Sequence, residues 1–192
     1  MNLPLKQNYK DLSLFLKKGE KAIISDFDNW IKKSKLKKQS RIDKYLRARS
    51  NLIDRIIRDN WKKLDLLKES DIAVFAVGGF GRGELHPFSD IDLLILSTFD
   101  LTKDQEKKIE TFLGSMWDLG LEIGHSVRNA KENVIQAKKD VRNMTNILES
   151  RFVTGDPQVK NILENLISNK RIVPNAVNVV IDSKYFAWLI HA

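Results

Sequence analysis

No cysteine occurs anywhere in the chain, which removes disulfides, thiolate nucleophiles and zinc sites built on sulfur. Histidine is nearly as scarce, at three residues, so any metal bound here must be held by oxygen or by those three side chains. Long apolar runs are missing as well. Neither the opening "MNLPLKQNYKDLSLFLKK" nor any later stretch has the length of a secretory signal core or a membrane span. The expectation is a cytoplasmic protein with no membrane partner. Internal repeats and low-complexity linkers are absent too.

What is present is enough for folding in water: 42% hydrophobic and 30% charged residues over 192 positions, sufficient for one globular domain with a helical appendage. The net charge of +8 is concentrated. Between Lys32 and Lys63 there are 13 Lys or Arg against 3 Asp, so the remainder of the chain is slightly acidic. Ile42, Leu46, Ile53, Ile57 and Leu64, with Tyr45, Ile56 and Trp61 beside them, follow the 3.6-residue stripe of an amphipathic helix. The positive residues then cover its solvated face. Such a face is either simply soluble or a docking surface for RNA, an acidic partner or nucleotide phosphates.

Beyond this helix the periodicity changes. "DIAVFAVGG" and "DIDLLILS" are short continuous apolar runs of the kind that form buried strands, and "LEIGHSV" is a third strand. Ile109, Phe112, Leu113, Met116 and Trp117 repeat at helical spacing, with Thr102 and Gln105 as a capping box and Gly120 as a stop. From Ala130 to Ile167 the pattern is mostly helical. These elements predict an α+β fold, a mixed sheet backed by helices, with an N-terminal helical region over 1–70, a sheet-bearing domain over 71–170 and a helical tail over 171–192.

The stretch "VGGFGRGELHPFSDIDLLIL", residues 77–96, carries the chemistry. Gly78 and Gly79 fall where a strand ends, and small residues there let backbone N–H groups approach an anion. Arg82 adds a forked positive charge suited to phosphate oxygens. The spacing is neither the dinucleotide fingerprint nor a P-loop. Asp90 and Asp92, two apart at the start of a strand, leave the same face. Two adjacent carboxylates repel unless a divalent cation joins them, and Mg²⁺ commonly shares its shell between carboxylates and substrate phosphates.

The Gly-Gly pair, the Arg-Gly-Glu-Leu of 82–85 and Ser89-Asp90-Ile91-Asp92 resemble the signature of the DNA polymerase beta-type nucleotidyltransferase superfamily. With "MWDLGLEIGHSVR" and "TNILESRFVTGD" added, the chain resembles, from about Ala73 to Asp156, the N-terminal catalytic domain of bacterial PII uridylyltransferase/uridylyl-removing enzymes. That resemblance implies a polymerase beta-like nucleotidyltransferase domain that moves UMP from UTP to a tyrosine of the PII signalling protein, releasing pyrophosphate, with Mg²⁺ or Mn²⁺. It implies that Asp90 and Asp92 hold metal, that Gly78, Gly79, Arg82 and Ser89 meet the nucleotide, and that Glu122 supplies a third carboxylate to the metals or to the attacking hydroxyl. Nucleic acid is not an expected partner. Two alternatives remain: another protein- or RNA-directed nucleotidyltransferase, and a truncated nucleotide-binding module without turnover.

Neighbouring residues carry plainer readings. Glu84 either supports the site or pairs with an arginine. Ser89 caps the turn or touches phosphate, and His86 stabilises that turn. His125, of opposite strand parity to Glu122, packs on the other face. Glu149 and Arg151 are expected to form a structural ion pair. The resemblance also implies phosphohydrolase and regulatory domains after this one; none of the three histidines is followed by Asp, so uridylyl removal is not expected here, and 171–192 reads as a truncated tail.

Overall fold

The computed structural model describes residues 3–33 and 38–168; the tail expected over 171–192 lies outside the described residues. Two long helices come first, α1 (Leu3–Lys33) and α2 (Lys38–Lys63). The stripe expected on α2 is real: Leu46, Ile53, Ile56, Ile57 and Trp61 are all buried. After a single 3₁₀ turn come β1 (Ile72–Ala76), the one-turn helix α3 (Gly78–Gly81) and β2 (Ile91–Ser97). The helix α4 (Lys103–Asp118) then crosses to β3 (Ile123–Asn129). Both capping-box bonds of α4 form between Thr102 and Gln105, and Gly120 adopts φ +79° as the helix stop requires.

From Ala130 the structure is mostly helical, as expected, but one strand interrupts it. There are two helices, α5 (Ala130–Lys139) and α6 (Val141–Leu148), divided at Asp140, whose side chain caps α6 by accepting from the Arg142 N–H. A strand then follows, β4 (Arg151–Gly155), before α7 (Pro157–Ser168). The four strands lie in the order β3-β2-β1-β4. The sheet is mixed: β1 runs antiparallel to β2 and β4, while β2 and β3 are parallel and joined by the α4 crossover.

Both faces of this sheet are covered, which is why β1 is apolar at every position. Ile72, Val74 and Ala76, with Ile91, Leu93 and Ile95, meet α2 and α4 on one side. Trp61 of α2 and Phe112 of α4 pack edge to face there, ring centroids 5.1 Å apart. Ala73, Phe75 and Val77, with Leu94 and Leu96, meet α5, α6 and α7 on the other. The helix α2 therefore shares one core with the sheet. Among the described residues no helix is long and apolar enough to cross a membrane.

Candidate functional site

Strand pairing decides where the carboxylates stand. In the parallel β2–β3 register Ile91 faces Ile123 and Asp92 faces Gly124, and the Ile91 N–H donates to the Glu122 carbonyl at 2.8 Å. Asp90 is thus level with Glu122, one pleat before Asp92. Asp90, Glu122 and Gly124 line one recess at this end of the sheet, with Trp117 on its wall. His125 projects the other way, its ring 5.7 Å from that of Trp117 on α4, the packing role its parity predicts.

The glycine loop closes the site from the β1 side. Gly78 adopts φ +58°, a left-handed conformation that a side chain would strain. A Cβ there would lie 3.6 Å from Asp92 Oδ2 and 3.8 Å from Asn146 Oδ1. This places Asn146 of α6 at the site; it lies within the "TNILESRFVTGD" segment, but nothing in its spacing marks it as a site residue, because α6 reaches the glycine loop only through the folded sheet. The first N–H groups of α3 have no helical carbonyl behind them. Its last carbonyls are clasped instead: Arg151 donates to the carbonyls of Phe80 at 3.2 Å and Gly81 at 3.3 Å.

The expected Glu149–Arg151 ion pair does not form. Arg151 instead makes a two-pronged bond to Asp54 of α2, at 2.6 and 3.0 Å, while Glu149 accepts from Arg82 at 2.6 Å. The two residues sit on either side of the α6-to-β4 turn and diverge. Arg82 also donates to Glu84 at 3.0 Å, so the paired alternative for Glu84 is the one observed. Burial alone would lower the Arg82 pKa; the hydrogen bond to Glu84 and the charge of Glu149 outweigh it, and the guanidinium sits above its ordinary value. A phosphate at Arg82 would have to compete with two carboxylates. Ser89 donates its hydroxyl to the His86 carbonyl at 2.8 Å; the backbone of His86 rather than its imidazole holds this turn.

Asp92 is exposed, yet partial desolvation by the surrounding protein and then the charge of Asp90 raise its pKa above the ordinary carboxylate value. No described cation forms a salt bridge with either aspartate. Among the described residues no group of three or more His, Cys, Asp or Glu is gathered closely enough to hold a metal ion unaided. Two converging aspartates beside a glycine loop nevertheless fit a hard divalent cation that completes its shell with phosphate oxygens and water.

Gly124 belongs to this geometry, although the sequence reading passes over it. A Cβ at 124 would fall 2.4 Å from Asp92 Oδ1, so the carboxylate occupies the space that the missing side chain leaves. Its position two residues after Glu122, on the same strand face, is the signal that could have found it. Gly124→Ala is expected to turn the Asp92 carboxylate away and weaken Mn²⁺ binding roughly ten-fold, about 1.4 kcal/mol, with little change in thermal midpoint. Titration followed by Mn²⁺ electron paramagnetic resonance measures it; unchanged affinity would show that the Asp92 carboxylate, in the position it occupies beside Gly124, is not a metal ligand.

Residues 53–168 match the family model described as "Nucleotidyltransferase domain". A bifunctional uridylyltransferase/uridylyl-removing enzyme of Ectopseudomonas mendocina (strain ymp) is 39% identical over 134 residues, 70% of this chain and 15% of the relative. The enzyme of the same name from Pseudomonas putida (strain GB-1) is 41% identical over 136 residues, 71% of this chain and 15% of the relative. The chain thus spans about 15% of the length of these curated relatives. A solved toxin–antitoxin structure with AMP-PNP superposes over 64% of this chain and 95% of its own, at 16% identity and a TM-score of 0.39, too slight a likeness to bear on function.

Proposed function

The chain belongs to the nucleotidyltransferase domain family, and from that premise we propose that it transfers UMP from UTP to a tyrosine hydroxyl of a PII-type signalling protein in the cytoplasm. The observation that carries this reading is the alignment of Asp90, Asp92 and the Glu122 position at one sheet end, beside the Gly78 loop. The named activity of the curated relatives supports the choice of nucleotide.

In the proposed reaction the tyrosine oxygen attacks the α-phosphorus of UTP, the bond from that phosphorus to the bridging oxygen breaks, and pyrophosphate leaves. Asp90 and Asp92 would hold Mg²⁺ or Mn²⁺, which when bound neutralises phosphate charge and stabilises the leaving oxygen. Gly78 and Gly79 admit the triphosphate close to the backbone, since neither has a side chain to exclude it. Arg82 meets the phosphates once it exchanges Glu149 for them, and Ser89 keeps the turn before Asp90 in shape. Glu122 takes the proton released by the tyrosine.

The test is incubation with labelled UTP, ATP, CTP and GTP and purified PII protein, in Mg²⁺ and then in Mn²⁺. Label from UTP on a PII tyrosine is the expected result; label from ATP alone, or none, overturns the proposal. Glu122→Gln should lower the transfer rate about 100-fold, the scale of a positioned base, while leaving UTP affinity within a few-fold. Glu122→Asp should keep part of the rate. Wild-type turnover in Glu122→Gln would assign the proton to another acceptor.

A further inference from the structure

The metal-side face of β3 continues past Gly124. Gly124, Ser126 and Arg128 lie opposite Asp92, Leu94 and Leu96 in register, so Arg128 shares the face of the carboxylates. Its guanidinium turns to α6, donating to Asn143 Oδ1 at 3.2 Å, and among the described residues it forms no salt bridge. Asn143 and Asn146 are three apart and so adjacent on one face of α6. The amide of Asn146, beside Gly78 and Asp92, has no hydrogen-bond partner among the described residues.

A half-buried arginine without a carboxylate and asparagines with unspent hydrogen-bonding capacity thus form a strip that begins at the aspartates and runs away from them. Hydrogen-bonding groups left open at a half-buried position are met by water until a ligand displaces it, and a ligand seated there must then match them, because unmet donors are costly once water is displaced. Past the aspartates the strip carries an arginine and two amides, with Asp100 and Glu132 lining a recess beside Arg128 at its far end. Its free groups suit hydroxyl and carbonyl oxygens.

We infer that Arg128, Asn143 and Asn146 bind the nucleoside end of the nucleotide, a ribose and base rich in such oxygens, in continuation of a phosphate end at Gly78 and Asp92. This rests on the nucleotidyltransferase reading of the site and adds the residues that grip the nucleoside. Arg128 donates to a base or ribose oxygen while steadying Asn143, and Asn146 marks the junction between nucleoside and phosphates.

The test compares UTP with inorganic tripolyphosphate, which lacks the nucleoside, by titration calorimetry in one Mg²⁺ buffer. Asn143→Ala, Asn146→Ala and Arg128→Gln should each weaken UTP roughly ten-fold, the scale of one lost hydrogen bond, and leave tripolyphosphate affinity within two-fold. Both asparagines are partly exposed, so their variants should fold even if the arginine variant does not. Equal losses for both ligands would assign the strip to phosphate and overturn the inference, as would no loss for either. A wild-type chain that prefers another nucleoside triphosphate would sink the UTP reading alone, and the strip would stand if the variants weaken that nucleotide and spare tripolyphosphate. A wild-type chain that binds no nucleotide overturns both.

Discussion

Asp92→Asn is expected to lower nucleotidyl transfer about 1,000-fold or more while leaving the fold intact. The kinetic loss follows from removing a carboxylate that would hold the divalent cation, whose contribution to such a transition state is several kcal/mol. The stability expectation has the opposite sign from most losses of a charged group. Desolvation and the charge of Asp90 raise the Asp92 pKa, so the folded chain binds that proton more tightly than the unfolded chain does. Ionisation of Asp92 therefore costs stability, a cost absent below the unfolded pKa of about 4 and complete once pH has risen past the folded one. The asparagine escapes this cost. Metal-free Asp92→Asn should melt at the same temperature as wild type at about pH 3, below the unfolded pKa, and at the same or a slightly higher one at pH 7. A thermal midpoint several degrees lower at pH 7 would show that Asp92 supports the fold.

Asp54→Ala should be the converse, a change remote from the reacting atoms that damages the whole domain. Asp54 is buried on α2 and accepts both prongs of Arg151, with Arg58 as a third donor at 3.3 Å. Removing one member of such a pair leaves the other uncompensated, at a cost of about 3 kcal/mol here, the low end of the usual range because Arg151 keeps some access to water. Urea unfolding measures that loss. Arg151 also holds the carbonyls of Phe80 and Gly81, so amide exchange across residues 78–82 should accelerate in the same variant. Stability within about 0.5 kcal/mol of wild type, the range of an ordinary surface change, would mean that water replaces Asp54 without penalty.

The parts of the fold legible in the sequence are those with local causes. The α4 cap is written in Thr102 and Gln105, the stop in Gly120, and the two-sided burial of β1 in its unbroken apolar run. Parity alone sends His125 away from Glu122. β4 was not legible: "RFVTG" is five residues long and follows Met144, Ile147 and Leu148 at helical spacing, and its pairing with β1 joins residues such as Ala76 and Arg151 that no local pattern connects. The ion pairs fail for the same reason. Glu149 and Arg151 are neighbours in the chain, but the turn between them aims one at Arg82 and the other at Asp54. Within the site, the paired aspartates announce themselves by spacing, whereas Asn146 enters from a helix whose packing only the folded sheet defines.

The late arrival of Arg151 has a consequence for how the protein is made. The guanidinium that fastens the glycine loop lies 70 residues after Gly81, and 97 after the aspartate that orients it. At roughly 5–20 residues per second on a ribosome, that separation lasts several seconds, during which β1 has β2 on one side and a bare edge on the other. Closing so distant a pairing is also slow in itself, since the entropy of the intervening chain is lost before any contact repays it. The newborn chain therefore holds the apolar edge of β1 unpaired until β4 emerges, the interval in which a holding chaperone would have most to protect.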